Sequence, residues 1–410
     1  MGPWFEPGPG SQLSLPNQSF TSIFVLRLID LWCYDVKPAD LDNKVVHATF
    51  TTQTKSIAEI LLEKLKNNPL SECQSVAVGC NDARVSPSRI RLEASTHCQL
   101  KCPTCETATG ELYEHVALGF LRFDNFKQLI DDNPQVREIE LSNFGEIFLN
   151  PHLPKIIEYA FQKNVLLSAT NGANLNTVRD TTLEALVKFK FSHIRCSIDG
   201  ASQETYEQYR VRGNFDQVME NIDKINAYKK QYKSEFPLLT WQFVVFGHNE
   251  HEIAKARQMA HDRGMTFETK FNWDETWSPV RDKDMVRREM GVDATSRSEF
   301  KEKSGSDYME YVCHQLWDHP QLNFDGTVWG CCRNNWKAFD GNVFEDGLDA
   351  ALNSEQMQYA RRMLTDAIEP RADVPCTTCS IYKNMRKEGR TLDRSNVVGW
   401  RKGSAVPRST

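Results

Sequence analysis

Between residues 89 and 272, short runs of β-forming residues alternate regularly with stretches of helical periodicity. This alternation predicts βα units that build a parallel sheet or barrel, with the functional loops at the carboxyl ends of the strands. The clearest helical stretch carries Phe215, Val218, Met219, Ile222 and Ile225 at the i, i+3, i+4, i+7 spacing. Six strands are predicted, with bounds 89–95, 137–143, 165–170, 193–199, 239–247 and 266–272.

The composition excludes several classes of protein. The 410 residues carry a formal charge of −6, with 49 Lys and Arg against 55 Asp and Glu, so we expect no nucleic-acid partner. The apolar stretch Ser22 to Trp32 contains Arg27 and Asp30 and is shorter than the roughly 20 residues that span a bilayer, so we expect no membrane span. The start of the chain lacks the basic and apolar regions of a signal peptide, which predicts a cytoplasmic, thiol-reducing location.

The segments outside the barrel region differ in composition and divide the chain into predicted regions. The sequence NFDGTVWGCC predicts a hairpin with an Asp-Gly turn inside a small cysteine-bearing domain near the C-terminus. The predicted regions are a flexible leader (1–19), an accessory α+β segment (20–88), the barrel (89–272), a charged linker or lid (273–307), the cysteine-bearing domain (308–382) and a basic tail (383–410).

Three cysteines follow the first predicted strand in the sequence STHCQLKCPTC. Cys98, Cys102 and Cys105 have the spacing C-x3-C-x2-C and lie on the loop at the carboxyl end of that strand. A 4Fe-4S cluster normally takes four cysteines, so three cysteines would leave one iron open to a ligand from outside the protein. The alternative is a structural zinc site completed by a distant fourth ligand, such as His97 or another cysteine.

This motif at the end of the first strand of a βα barrel resembles the radical S-adenosylmethionine (AdoMet) superfamily. The resemblance implies an α/β fold, with a partial (β/α)6 TIM-like barrel, a small C-terminal iron-sulfur domain and an N-terminal accessory segment. It also implies that Cys98, Cys102 and Cys105 hold a 4Fe-4S cluster whose open iron chelates AdoMet. In this family the reduced cluster cleaves AdoMet, and the radical so released abstracts hydrogen from an unactivated carbon, which is chemistry that needs a cofactor.

Other segments resemble the AdoMet-binding elements of the family in the same order. Gly145 and Glu146 lie where the family has a Gly-Gly-Glu element that contacts the AdoMet amino group, although Phe144 replaces the first glycine. Thr170 and Asn171, which precede Gly172, resemble a Thr-Asn-Gly element beside the cofactor.

The fourth predicted strand and the helix after it supply further candidates. The period of two places Ser197 and Asp199 on the polar face of the strand, which we expect to line the barrel lumen. By resemblance, Ser197, Asp199 and Arg210 are candidates for binding the AdoMet ribose and carboxylate, since arginine suits a bidentate carboxylate contact.

A second set of cysteines lies in the C-terminal region. Cys313, Cys331, Cys376 and Cys379 resemble the ligands of the SPASM domain or of the shorter twitch domain, which implies one auxiliary 4Fe-4S cluster with four cysteine ligands. A tetrahedral structural zinc site is the alternative for four cysteines spaced in this way. Cys332 should point away from Cys331, and it is either a spare ligand, a hydrogen-atom donor or a packed thiol.

The resemblance predicts a radical AdoMet oxidoreductase or peptide-modifying enzyme of natural product biosynthesis. We expect oxidation, cross-linking or epimerisation of a ribosomally made peptide, with electrons from a donor such as flavodoxin or ferredoxin. Residues 20–88 would then be a candidate for binding a leader peptide. One alternative is a radical AdoMet dehydrogenase or epimerase that acts on a sugar or aminocyclitol. An alternative of another class is a non-catalytic iron-sulfur or zinc protein.

Overall fold

Six parallel strands form the centre of the computed structural model, which describes residues 83–393. Each of the six predicted strands is present, and each strand pairs in parallel with the next along the chain. The strands are β1 (Arg89–Leu92), β2 (Glu138–Glu140), β3 (Leu166–Ala173), β4 (His193–Ser197), β5 (Leu238–Val245) and β6 (Thr266–Phe271).

Helices connect these strands and continue into the C-terminal region. The longest, α6, buries Phe215, Val218, Met219, Ile222 and Ile225, so the predicted apolar face is confirmed. The α-helices are α1 (Glu106–Thr109), α2 (Phe123–Asp132), α3 (Leu153–Gln162), α4 (Asp180–Lys188), α5 (Gln203–Tyr209), α6 (Phe215–Tyr232), α7 (Ile253–Asp262), α8 (Lys283–Met290), α9 (Arg297–Ser304), α10 (Gln315–Asp318), α11 (Leu348–Leu352), α12 (Glu355–Thr365) and α13 (Ser380–Lys387). The 3₁₀ helices are Glu111–Glu114, Ile147–Leu149, Glu250–Glu252, Glu310–His314 and Pro375–Thr378.

Three short strands of the C-terminal region extend the same sheet. They are β7 (Gln321–Leu322), β8 (Thr327–Gly330) and β9 (Phe339–Asn342), and the strand order is β6-β5-β4-β3-β2-β1-β7-β8-β9. Strand β7 pairs in parallel with β1 and antiparallel with β8, so the predicted hairpin is confirmed. Its turn contains Gly326 at φ +90°, in the left-handed region that favours glycine.

The two faces of the parallel sheet differ in chemistry. In β1 and the residues after it, Ile90, Leu92 and Ala94 are buried in the main hydrophobic core. The alternate residues Arg91 and Glu93 are also buried, although they are charged, and they face the other side. A polar lumen therefore runs along the inner side of the strands, as the sequence predicts.

Residues 273–307, which the sequence predicts to be a linker or lid, contain two helices. Helix α8 buries only Val286 and Met290, and α9 buries no side chain. A regular apolar pattern is therefore missing, although both segments are helical. None of the helices in residues 83–393 combines the length and the apolar character of a membrane-spanning segment.

The predicted domain boundaries remain predictions. The leader, most of the accessory segment and residues 394–410 of the basic tail lie outside the described residues. The part of the tail that is described packs against the C-terminal region. Arg390 forms a salt bridge with Glu310 at 2.6 Å, and the side chains of Met385 and Leu392 are buried.

Candidate functional site

Cys98, Cys102 and Cys105 lie together on the loop that follows β1. Cys102 is buried, whereas Cys98 and Cys105 each keep part of their surface exposed. Cys105 is the N-cap residue of α1, and its N–H donates to the Cys102 carbonyl at 3.2 Å. This turn brings the three sulfurs close enough for the charge of each to act on the others.

An aromatic cluster supports the cysteine loop, and sequence reasoning missed it. The rings of Tyr209 and Phe246 are 4.4 Å apart, and Trp277 lies 5.2 Å from Tyr209 and 5.0 Å from Phe246. The Thr104 and Tyr209 hydroxyls are 3.1 Å apart, and Cys102 packs into the same cluster. These aromatic residues come from separate segments of the chain, so no local sequence motif predicts that they pack together.

The electrostatics of the thiols fit a bound metal cluster. Burial raises the pKa of the Cys98 thiol to about 12 and that of Cys102 to about 11. The nearby Glu146 adds to the rise at Cys98, whereas the Arg210 guanidinium opposes the rise at Cys102, since its Nη1 lies 3.8 Å from the Cys102 sulfur. Iron binds thiolates, and buried thiols of this kind are ionised only when a bound cation offsets the cost of burial. The donor set is therefore suited to an iron-sulfur cluster.

Gly145 and Glu146 lie directly against the cysteine loop. The Glu146 N–H donates to the His97 carbonyl at 2.7 Å, and a Cβ on Gly145 would collide with that same carbonyl. The buried Glu146 carboxylate accepts the Asn174 N–H at 2.5 Å, and Asn174 Nδ2 is 3.8 Å from the Cys98 sulfur. Burial raises the pKa of Glu146 to about 7. The only residue type that fits position 145 is therefore glycine, and Glu146 is fixed beside the cysteines.

The buried side chain of Glu93 binds the backbone of Phe144 and Gly145. The sequence analysis did not predict this residue. Its carboxylate accepts the N–H of Phe144 at 2.9 Å and the N–H of Gly145 at 3.3 Å. It has no exposed surface, and burial raises its pKa to about 8. The signal was available, because the alternation of RIRLEAS puts Arg91 and Glu93 on one face of the strand.

Thr170 and Asn171 are positioned by a second buried carboxylate, Glu140. The Thr170 hydroxyl donates to Glu140 Oε2 at 2.6 Å, and Glu140 also accepts the Thr170 N–H at 2.8 Å. Asn171 Nδ2 donates to Asn143 Oδ1 at 3.1 Å. Ser197 is buried on the neighbouring strand, next to Gly172. The structure therefore brings these three predicted residues to one region of the lumen.

Asp199 and Arg210 form an ion pair that points toward the cysteines. Asp199 Oδ2 lies 2.6 Å from Arg210 Nε, and Asp199 Oδ1 accepts the Val244 N–H at 2.7 Å. Burial raises the pKa of Asp199, and the Arg210 charge opposes that rise. Since Asp199 is fully buried and both of its oxygens are engaged, it orients Arg210, which reaches Cys102. A direct contact of either residue with AdoMet remains a prediction.

The second set of cysteines lines one cavity in the C-terminal region. Cys313, Cys331, Cys376 and Cys379 share it with apolar neighbours that include Leu364. Burial raises the pKa of the Cys331 thiol to about 12 and shifts the pKa of Cys313 and Cys376 in the same direction. Four thiols that line one mainly apolar cavity fit a fully ligated cluster. Across residues 83–393, no three Cys, His, Asp or Glu side chains are spaced to bind a single metal ion.

Cys332 does not line that cavity. Its carbonyl accepts Asn143 Nδ2 at 3.2 Å, and its N–H donates to Gln315 Oε1 at 2.7 Å. Its sulfur is close enough to Lys270 and Tyr311 to act on the charges of both. Cys332 therefore lies where the C-terminal region meets the barrel.

The three clustered thiols at the barrel mouth and the four thiols that line one cavity in the C-terminal region are suited to hold two iron-sulfur clusters. Comparison with known families agrees, since residues 92–260 match the radical SAM superfamily and residues 313–380 match the SPASM iron-sulfur cluster-binding domain. The chain belongs to the radical SAM superfamily and is an enzyme of that class with a SPASM domain. The predicted cofactors, which are AdoMet, a 4Fe-4S cluster and an auxiliary cluster, are confirmed by these matches, while the individual ligands remain predictions.

Solved structures share the fold. Streptococcus suis SuiB bound to S-adenosylmethionine has a TM-score of 0.55 and 13% identity, over 91% of this chain and 86% of that one. A second SuiB structure has a TM-score of 0.54 and 12% identity, over 91% of this chain and 88% of that one. The predicted fold class is thereby confirmed. No curated protein sequence matches the chain.

Proposed function

We propose that this enzyme removes a hydrogen atom from an unactivated C–H bond of a ribosomally made peptide, in order to oxidise, cross-link or epimerise it. The observation that carries the proposal is the gathering of Cys98, Cys102 and Cys105 at the end of a polar lumen, beside Arg210. A peptide is supported by the exposed aromatic side chains of Trp273 and Tyr311, which offer contact area for an extended substrate.

Each residue in the lumen has a proposed task. Cys98, Cys102 and Cys105 would hold the 4Fe-4S cluster, which supplies the electron that cleaves AdoMet when both are bound. Arg210, oriented by Asp199, would hold the AdoMet carboxylate, and Glu146 would accept from its ammonium group. Thr170, Asn171 and Ser197 would bind the polar groups of the nucleoside. Glu93 and Glu140 act as positioning residues, because they hold backbone N–H groups of these segments.

The C-terminal cavity has a different proposed role. Four cysteines leave no open iron, so a cluster held by Cys313, Cys331, Cys376 and Cys379 would exchange electrons instead of binding substrate. An electron leaving a substrate radical would make the net reaction an oxidation. The first cluster would receive its electrons from a carrier such as flavodoxin or ferredoxin.

Anaerobic reconstitution tests the proposal. The full chain should bind about eight irons, as two 4Fe-4S clusters require, and should form 5′-deoxyadenosine when reduced in the presence of AdoMet. Changing Cys98, Cys102 or Cys105 to Ala should abolish this product and lower the iron content to about four. Cys196→Ala is the matched control, because Cys196 is a buried cysteine of β4 that belongs to neither set. Full 5′-deoxyadenosine formation by the three variants would contradict the proposal.

One observation favours epimerisation among the possible outcomes. Cys332 lies at the junction with the barrel, where its S–H would give a hydrogen atom to a substrate carbon radical, for epimerisation from the face opposite to abstraction. The thiyl radical left on Cys332 would then be returned to the thiol by one electron from a carrier such as flavodoxin or ferredoxin and one proton from solvent. Cys332→Ala should then keep 5′-deoxyadenosine formation and lose deuterium uptake from D₂O into the peptide, whereas Cys196→Ala should keep both. Unchanged deuterium uptake in Cys332→Ala would exclude this role.

A further inference from the structure

Strand β6 carries two charged side chains on its lumen side. Phe267 packs against the main core and Phe271 is buried in it, so Glu268 and Lys270, at the alternate positions, face the lumen. Arg195 on β4 reaches the same place, with Nε 3.0 Å from Glu268 Oε2. The carboxylate of Glu268 therefore forms its ion pair with Arg195.

Lys270 has no carboxylate of its own. Its ammonium makes no hydrogen bond or salt bridge with any residue of 83–393. Burial lowers its pKa to about 8. It is close enough to Arg195 and Arg297 for their positive charges to lower that pKa further, and the negative charge of Glu268 opposes this without pairing with the ammonium. A partly buried ammonium without a partner is costly, which indicates that something else balances its charge.

Two more arginines stand around Trp273. The guanidinium carbon of Arg297 lies 3.7 Å from the centre of the Trp273 ring and 4.9 Å from that of Tyr308, and Arg333 lies 5.4 Å from Trp273. Arg297 Nε is buried and has no hydrogen-bond partner in the described part of the chain. Arg297 Nη2 donates to the Phe271 carbonyl at 3.3 Å. Because stacking occupies the faces of the guanidinium, only its remaining edge N–H groups, including that of Nε, are available to a planar anion.

The charges at this place do not balance. The charged groups close to one another here are four cations and two carboxylates. The cations belong to Arg195, Lys270, Arg297 and Arg333, and the carboxylates to Glu268 and Asp307. The group adjoins Cys332 of the SPASM region, and Trp273 on its rim is 51% exposed. It is therefore open to solvent and lies between the barrel and the auxiliary domain.

We infer that this cationic group, formed by Arg195, Lys270, Arg297 and Arg333, binds a carboxylate of the substrate. A carboxylate would give Lys270 an ion pair and would satisfy the buried Nε of Arg297. It would also lie beside Cys332, at the junction where the substrate is proposed to react. The inference rests on the proposed function and adds to it that the substrate is acidic near its reacting carbon.

Calorimetric titration of the anaerobic holoenzyme tests this inference with defined probes. The acidic probe is acetyl-Gly-Glu-Gly-Glu-Gly amide, its neutral match replaces both Glu by Gln, and glutarate represents a small carboxylic acid. We expect a carboxylate probe to bind at least ten-fold more tightly than the neutral peptide, because hydrogen bonds to charged groups are the stronger ones. Tighter binding of the acidic peptide identifies a peptide carboxylate, and tighter binding of glutarate identifies a small acid.

Variants assign the binding to the cationic group. Lys270→Met and Arg297→Gln should each weaken carboxylate binding about ten-fold or more. Lys224→Met and Arg288→Gln, which change the same residue types on α6 and α8 and do not belong to the cationic group, should leave it unchanged. Iron content and thermal midpoint show whether each variant is folded. Because Arg195 and Arg333 contribute separately, Arg333→Gln provides a second test if one variant fails to fold.

The two proposals fail separately. If the holoenzyme forms 5′-deoxyadenosine but binds the acidic peptide and glutarate no better than the neutral peptide, the carboxylate inference is wrong and the proposed function stands. Equal binding by Lys270→Met, Arg297→Gln and the wild type would also overturn the inference. If no 5′-deoxyadenosine forms in a protein with full iron content, the proposed function itself fails.

Discussion

Two buried carboxylates in the lumen accept backbone N–H groups. Glu93 holds the N–H groups of Phe144 and Gly145, and Glu140 holds that of Thr170. A carboxylate without exposed surface pays a large desolvation cost unless it is protonated or balanced by a cation. Burial raises the pKa of Glu93 to about 8, so its carboxyl group keeps its proton near neutral pH.

The stability of the protein should therefore depend on pH through Glu93. Its pKa is higher in the folded than in the unfolded chain, so its contribution is fully present below pH 4.5 and is lost as the pH rises through about 8. Within this window the loss is about 1.4 kcal/mol per pH unit. Glu93→Gln removes this dependence, so the wild type should lose stability relative to the variant between pH 6 and 8.5 in thermal unfolding of the anaerobic protein. Parallel pH profiles of the two proteins would contradict the assignment.

The short helix α9 carries Arg297 at its first position and is held by its N-terminal cap. Ser296 Oγ accepts the Glu299 N–H at 3.1 Å, and Glu299 Oε2 accepts the Thr295 N–H at 2.8 Å. The Glu299 carboxylate also pairs with Arg287 of α8 at 2.6 Å. The helix buries no side chain, so these polar contacts are its main local support.

Ser296→Ala should destabilise the protein by about 1 kcal/mol, the usual cost of losing such a cap. Because the cap fixes the turn that holds Arg297, carboxylate binding should also weaken a few-fold. Thermal unfolding and calorimetric titration measure the two effects. Ser296→Thr is the matched control, since threonine supplies the same oxygen, and it should restore both values. Identical behaviour of the alanine and threonine variants would show that the cap is not responsible.

The elements that could be predicted from the sequence are those with a local signature. The six parallel strands carry β-forming runs, and the β7–β8 hairpin is marked by Asp325-Gly326. Helices α8 and α9 could not be found from apolar periodicity, because they bury two side chains and none, respectively. The sequence signal for these two helices lies in their capping residues. Asp282 and Ser296 are at the N-termini, and a glycine follows each C-terminus.

The same distinction holds for the site. Cys98, Cys102 and Cys105 could be predicted because their spacing is local, whereas the second set is spread along the C-terminal region and was predicted from its resemblance to the SPASM domain. The structure brings each set together. The ring cluster of Tyr209, Phe246 and Trp277 could not be predicted, since tertiary packing alone joins three separate segments. The inward position of Lys270 could not be predicted either. A lysine in a strand usually faces solvent, and only the place of β6 in the barrel directs this one to the lumen.

Over the whole molecule, the overall charge and the local charge have opposite signs. The chain has a formal charge of −6, yet four cations meet at the junction of the barrel and the SPASM region. A local positive potential next to partly buried side chains acts more strongly than the same charge on a fully exposed surface. The composition thus excludes a broad basic surface and leaves room for one focused anion site.

The nine strands form one sheet, and β7 of the SPASM region is hydrogen-bonded directly to β1, from which the first cysteine loop emerges. The loop that carries Cys98, Cys102 and Cys105 and the β7–β8 hairpin that leads to Cys331 are consequently parts of one hydrogen-bonded sheet. Tunnelling rates fall exponentially with separation, so thermal motion of two loosely tethered bodies would make electron exchange erratic. If the two proposed clusters exchange electrons, the distance between them would be held by one continuous sheet.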